Sequence, residues 1–201
     1  MREMIVWTGP VHSGKSTQAL LRAERYLRLG HDVQLIRPRI SVRPELGDEP
    51  GMLKTKSGHR FPSIEIDTPQ EIEDATEGCS VVWIDEAMLF GDQEHLVPDY
   101  VARVRSRSIV LITGLCATSE LRVFGQAMPS LMASADVVKH CKADCDFCGS
   151  LGIATRSVCL VEKVGNVLVG GENTYKAACV RCWIEATNRD AVTSLGDLSR
   201  S

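Results

Sequence analysis

Aromatic side chains are scarce: Phe, Trp and Tyr make up 5% of the 201 residues. A nucleic-acid grip built on interleaved rings and cations is therefore not indicated. A formal net charge of −3 adds no whole-molecule attraction to polyanions. Long apolar runs are also missing. No uninterrupted stretch approaches the ~20 residues of a membrane-spanning helix, and the amino terminus lacks the basic-then-apolar pattern of a signal peptide. Internal repeats and low-complexity tracts are absent. A cytoplasmic protein with no membrane partner is the expectation. Its eight cysteines then need a use other than disulfides, because the cytosol keeps thiols reduced.

What is present is a 44% hydrophobic, 24% charged chain, long enough for one α/β domain and a small appendage. Its most informative stretch is Gly9-Pro10-Val11-His12-Ser13-Gly14-Lys15-Ser16, followed by Thr17. An apolar run at 4–7 precedes it and a helical pattern at 16–29 follows. Strand, glycine loop and helix form the context in which G-x-x-x-x-G-K-[ST] binds phosphate. The two glycines permit backbone dihedrals that other residues resist. Successive amides then face a triphosphate beside the positive end of a helix. Lys15 is expected to reach the β- and γ-phosphates, and Ser16 to ligate Mg²⁺ bound with ATP. The bland alternative is a chance match in a strand–turn–helix unit.

The run 80–84 is apolar from Val81 onward, as a strand buried on both faces should be, and it ends in Asp85-Glu86. An acidic residue at that strand end can face the glycine loop and hold Mg²⁺. Asp85 is assigned that role, and Glu86 that of a general base taking a proton from an attacking hydroxyl. Alone, the pair reads equally well as a solvated acidic turn.

Further strands are expected at 32–36, 64–66, 109–113 and 136–138. Helices are expected at 68–76, 93–105 and 127–133, with Pro98 near the start of the second or kinking it. The segment 37–51, rich in Pro, Arg and Gly, reads as a loop. Arg103, Arg105 and Arg107 read as structural cations near a helix end. This pattern predicts an α/β fold: a P-loop, RecA-like parallel sheet flanked by helices over residues 1–138. Composition shifts near Lys139, so a second domain is placed at 139–185 and a frayed tail at 186–201.

In that second domain Cys145-x-x-Cys148 and Cys179-x-x-Cys182 stand about thirty residues apart. Two such knuckles close a tetrahedral Zn²⁺ site, structural because four protein ligands leave no open position. A redox pair is the alternative. Cys141 and His140 lie nearby, at less regular spacing. Strands at 158–161 and 166–169 would form the intervening hairpin.

In their order and spacing these features resemble the type II thymidine kinases, from residue 4 to about 183. The glycine loop is similar to the family's G-P-M-F-S-G-K-S/T, and Asp85-Glu86 with Phe90 to its D-E-x-Q-F-F. Gly114-Leu115 and Phe124-Gly125 bracket a stretch similar to its G-L-D…F-G. Residues 169–182 resemble its V-G-G-x-x-x-Y-x-x-x-C-R-x-C. The resemblance implies transfer of the ATP γ-phosphate to a nucleoside 5′-hydroxyl, with Glu86 as base. It implies a zinc-ribbon-like lasso domain closing over the nucleobase, and a homotetramer or homodimer. It places Phe90, Leu115, Ser119, Phe124, Thr155, Val169, Gly170, Gly171 and Tyr175 around the nucleoside, and Arg43 near the transferred phosphate. The chain also departs from the pattern. Ser41 replaces an aspartate, Val11 and His12 replace Met and Phe, Met88-Leu89 replaces Gln-Phe, Cys116 replaces Asp, and Ser119 replaces an aromatic residue. The phosphate machinery is kept while nucleoside-facing positions differ. That leaves a kinase of a modified pyrimidine, free or within DNA, as one alternative, and a zinc-ribbon nucleic-acid-binding ATPase as another.

Overall fold

A computed structural model describes residues 2–42, 49–55, 57–161 and 174–187. Arg43, Val169, Gly170, Gly171, the expected strand at 166–169 and nearly all of the 186–201 tail lie outside the described residues. Seven strands make the main sheet: β1 (Met4–Thr8), β2 (Val33–Pro38), β3 (Met52–Lys54), β4 (Arg60–Ile66), β5 (Val81–Ile84), β6 (Ile109–Gly114) and β7 (Val137–His140), in the order β3-β4-β2-β5-β6-β1-β7. Every pairing is parallel except β3 with β4.

The sheet is covered on both faces, and alternation along β1 sorts its side chains. Met4 and Val6 join one core cluster, Ile5 and Trp7 the other. Helix α1 (Lys15–Arg28) covers the second cluster through Ala19, Leu20, Ala23 and Tyr26. Leu27 shares the helical spacing of these residues but is 45% exposed. Helices α2 (Glu71–Ala75), α3 (Val97–Arg105) and α4 (Ala127–Ser134) cover the first cluster.

The expected helix at 93–105 is two elements, a 3₁₀ segment Gly91–Leu96 and then α3, with Pro98 in the first turn of α3. Proline has no N–H to donate into a preceding turn, so it fits where a helix starts rather than in its interior. Strand β4 is longer than the expected 64–66, and β3 adds an edge to it. Proline is confined to strand edges and starts, and the Cα partner of Pro62 is Met52 in the three-residue edge strand. The arginine run is structural: Arg105 donates to the carbonyls of Arg2 and Ser134 and pairs with Asp136, while Arg103 pairs with Glu73.

Strand β7 runs through His140, and the Cys141 N–H continues the ladder by donating to the Thr8 carbonyl at 2.7 Å. Beyond it β8 (Arg156–Cys159) pairs antiparallel with β9 (Tyr175–Ala178). The lobe they form has its own small core of alanines, cysteines and Val158.

Candidate active site

Strand order sets the site. β6 separates β5 from β1, so the carboxyl ends of these three neighbours present Asp85, Gly114 and the glycine loop together. Gly9 has φ +148, and a Cβ there would collide with the carbonyl oxygen of Cys141 at the end of β7. Gly9→Ala is therefore expected to force the loop off the sheet at a cost of about 1–3 kcal/mol. A lowered melting temperature together with weaker nucleotide binding checks this.

Gly14 takes φ +74 and starts α1. No side chain caps that helix and no acidic residue sits in its first turn. Its leading N–H groups lack intrahelical partners, and an anion is the complement they suit. Inside the loop the Lys15 ammonium donates to the Pro10 carbonyl at 2.8 Å, and the Ser13 hydroxyl donates to the same oxygen at 2.8 Å. Burial pulls the Lys15 pKa down, while the carboxylates of Glu86 and Asp85 oppose that shift. A polyanion placed here would hold the lysine charged.

Asp85 is buried at the tip of β5. Ser16 donates to its Oδ1 at 2.9 Å, and Thr113 of β6 donates to the same oxygen. The Trp83 indole N–H, 3.1 Å from the Thr113 hydroxyl, orients that partner. Burial raises the Asp85 pKa; the two hydroxyls, Lys15 and Arg37 work against the rise. A buried carboxylate that shares a hydroxyl with the P-loop serine is a hard-oxygen donor set suited to Mg²⁺. Ser16 and Asp85 would hold that ion.

Glu86 follows at φ 53, a left-handed backbone that is costly for a residue with a Cβ. The turn is fixed by Ala87 N–H donating to Thr113 O and Leu89 N–H donating to Glu86 O, at 3.2 and 3.0 Å. The conformation ends the extended backbone at Glu86, and the carboxylates of Glu86 and Asp85 both act on Lys15.

A cavity of about 250 Å³ opens beside the loop, lined by Gly9, Pro10, Thr118, Thr155 and Ser157 among others. Of the residues expected around the nucleoside, Thr155 lines this cavity. Phe90 is buried in the first core cluster, and Leu115 and Phe124 pack against that cluster. Ser119 is buried in a short hairpin and accepts the Trp183 indole N–H on its carbonyl at 2.9 Å, which ties the hairpin to the lobe. Burial, and then the neighbouring Cys159, pushes the Tyr175 phenol up to about 12, so it stays protonated.

The four sulfur atoms of Cys145, Cys148, Cys179 and Cys182 all lie within 4.8 Å of one another. Sulfurs about 2.3 Å from a central zinc would stand about 3.8 Å apart in a tetrahedron, so the set fits one metal ion. Neither Cys141 nor His140 belongs to it. The Cys148 thiol is lowered to about 6, first by the Ser150 hydroxyl and then by its N–H. Burial acts to raise Cys145, but N–H groups including that of Cys179, 3.3 Å from its sulfur, bring it down overall. Burial and then the other three sulfurs push Cys182 up to about 12. Four thiolates this close need a cation between them to ionise together.

Sequence reasoning missed Thr113, which holds Asp85, and Ser157, whose hydroxyl accepts the Val11 N–H at 3.1 Å. It also missed Asp146, which meets His12. Thr113 and Ser157 belong to no motif, and Asp146 fills an unspecified position of Cys145-x-x-Cys148; each is found only by its neighbours in space.

Residues 2–183 match the family model described as Thymidine kinase. Curated relatives agree. A protein named thymidine kinase from Mycoplasma genitalium is 32% identical over 182 residues, covering 86% of this chain and 81% of that one. Another of that name from Coprothermobacter proteolyticus is 31% identical over 180 residues, covering 87% and 86%. A third, from Mesomycoplasma hyopneumoniae, is 27% identical over 180 residues, covering 88% and 92%.

Proposed function

As this chain belongs to the thymidine kinase family, a family of nucleoside kinases, we propose that it moves the γ-phosphate of ATP to the 5′-hydroxyl of thymidine or a related deoxypyrimidine nucleoside. The observation that carries the reading is the Ser16–Asp85 hydrogen bond of 2.9 Å, which joins the phosphate loop to the acidic strand tip beside Lys15. The loop from Gly9 to Thr17 cradles the triphosphate through amides other than that of Val11, which Ser157 holds, and Lys15 exchanges its bond to the Pro10 carbonyl for phosphate oxygens. Ser16 and Asp85 hold Mg²⁺, which offsets phosphate charge when bound. Glu86 takes the proton of the 5′-hydroxyl as its oxygen attacks phosphorus, the bond from γ-phosphorus to the bridging oxygen breaks, and ADP leaves. Arg43 adds positive charge at the transferred group. Most of the rate comes from positioning and electrostatics.

The cavity wall at Thr155 supports a nucleobase site between the glycine loop and the lobe, completed by Val169, Gly170, Gly171 and Tyr175. Leu21, Leu27 and Leu29 stand exposed along or at the end of α1, which supports a homotetramer or homodimer. Eight cysteines, none in a disulfide, support a reducing, cytoplasmic setting.

A panel of deoxynucleosides with labelled ATP tests the proposal. Label should appear on thymidine or a 5-substituted deoxypyrimidine nucleoside and require Mg²⁺. Label on no nucleoside, with ATP hydrolysis stimulated by single-stranded DNA, would overturn it.

A further inference from the structure

The tip of the glycine loop is tied to the cysteine lobe at two consecutive residues. The Val11 N–H donates to the Ser157 hydroxyl of β8 at 3.1 Å, and the Val11 side chain packs against the lobe's own core. His12, at φ 63, brings its Nδ1 to 3.3 Å from Oδ2 of Asp146. Facing a carboxylate, that nitrogen is the donor. Asp146 stands between Cys145 and Cys148 and is fixed from both sides by β9. Its N–H donates to the Ala177 carbonyl at 2.9 Å, and the Ala177 N–H donates to its Oδ2 at 2.6 Å. Ala177 lies two residues before Cys179. The carboxylate that meets the loop is thus carried by the same two segments that carry the four sulfurs, so the metal that sets the knuckle also sets the position of Asp146.

We propose that the metal lobe positions the phosphate-binding loop through the His12–Asp146 and Val11–Ser157 ties, so that metal occupancy and nucleotide affinity are linked. Linkage is reciprocal: bound nucleotide must hold the metal more tightly by the same factor. His12 is a positioning residue in this arrangement. The inference rests on the reading of residues 9–16 as a nucleotide loop. The side chains of the pair are 21% and 35% exposed, which caps the size of the effect.

The test is titration of a fluorescent ATP analogue into the zinc-loaded protein and its His12→Ala, His12→Asn and Asp146→Ala variants. His12→Ala and Asp146→Ala should each raise Kd about three- to fivefold, near the upper limit for a partly exposed pair. The double variant should be no weaker than either single, because they remove one shared contact. Asn places an amide nitrogen near the Nδ1 position and tolerates positive φ, so His12→Asn should restore parental affinity. Zinc content should be unchanged in His12→Ala, and ATP should slow chelator extraction of zinc from the parent more than from this variant. A parent that binds the analogue while His12→Ala binds it equally well overturns the latch alone. Additive effects in the double variant overturn it too, since loop strain and lobe damage would then be independent. Should Asp146→Ala fail to fold, the Ala and Asn variants of His12 decide. A parent that binds no ATP analogue overturns the nucleotide reading, and the latch with it.

Discussion

Glu86→Gln should lower kcat by about 10²–10⁴, the usual loss for a missing general base, while ATP affinity stays close to that of the parent. The substitution is nearly isosteric, and glutamine, unbranched at Cβ and Cγ like glutamate, meets the same left-handed backbone cost at φ 53. What changes is charge. The carboxylates of Glu86 and Asp85 both act to keep Lys15 protonated, so losing one leaves Asp85 to do it, now joined by the phosphates. Binding should therefore survive. The proton of the 5′-hydroxyl loses its acceptor, and that loss falls on the chemical step, seen in kcat and kcat/KM together. Steady-state phosphate transfer beside fluorescent-ATP binding separates the two. Turnover within about threefold of the parent would remove Glu86 from the role and leave its backbone conformation as a purely structural feature of the strand end.

Much of this candidate site is legible in the sequence, and for a physical reason. A phosphate loop is local: glycines at fixed offsets, a lysine and a hydroxyl are all dictated by one turn, so the sequence carries the whole device. The buried parallel strands were legible too, because burial on both faces leaves continuous apolar runs at 81–84 and 109–112. Legibility failed where the deciding partner is remote in sequence. Strand β4 alternates between buried and exposed positions and contains Pro62, so its identity depends on β2 and β3 beside it. Leu27 fits the helical stripe of α1 yet stands exposed, because among the described residues nothing covers that edge. Thr113 is one threonine in an apolar strand, and becomes the holder of Asp85 only through the order β5-β6. His12, which replaces the family's Phe in the glycine loop, finds its partner in the cysteine lobe 134 residues away.

The largest single loss of structure is expected from the metal. Purified protein should carry about one zinc per chain, and Cys145→Ser should lose it. The lobe has little else to hold it. Among the described residues its buried apolar groups are alanines, the cysteines themselves and Val158, with Val11 and Trp183 packed alongside. Alanines bury few methylenes, at about 0.8 kcal/mol each, against about 1–2 kcal/mol of backbone entropy per ordered residue. The balance for β8 and β9 without a metal is unfavourable. A structural zinc supplies an apparent 10–16 kcal/mol, enough to reverse it. The main sheet has two large clusters of its own and does not depend on the ion. Cys145→Ser should therefore show fast hydrogen exchange in 156–159 and 175–178, slow exchange in β1, β5 and β6, and loss of phosphate transfer because the nucleobase wall and the ties to Val11 and His12 go with the lobe. Serine is nearly isosteric with cysteine, so a packing defect alone cannot account for that pattern. A folded parent free of zinc, or a Cys145→Ser protein that keeps slow exchange in β8 and β9, would mean that something other than the four sulfurs holds this lobe together.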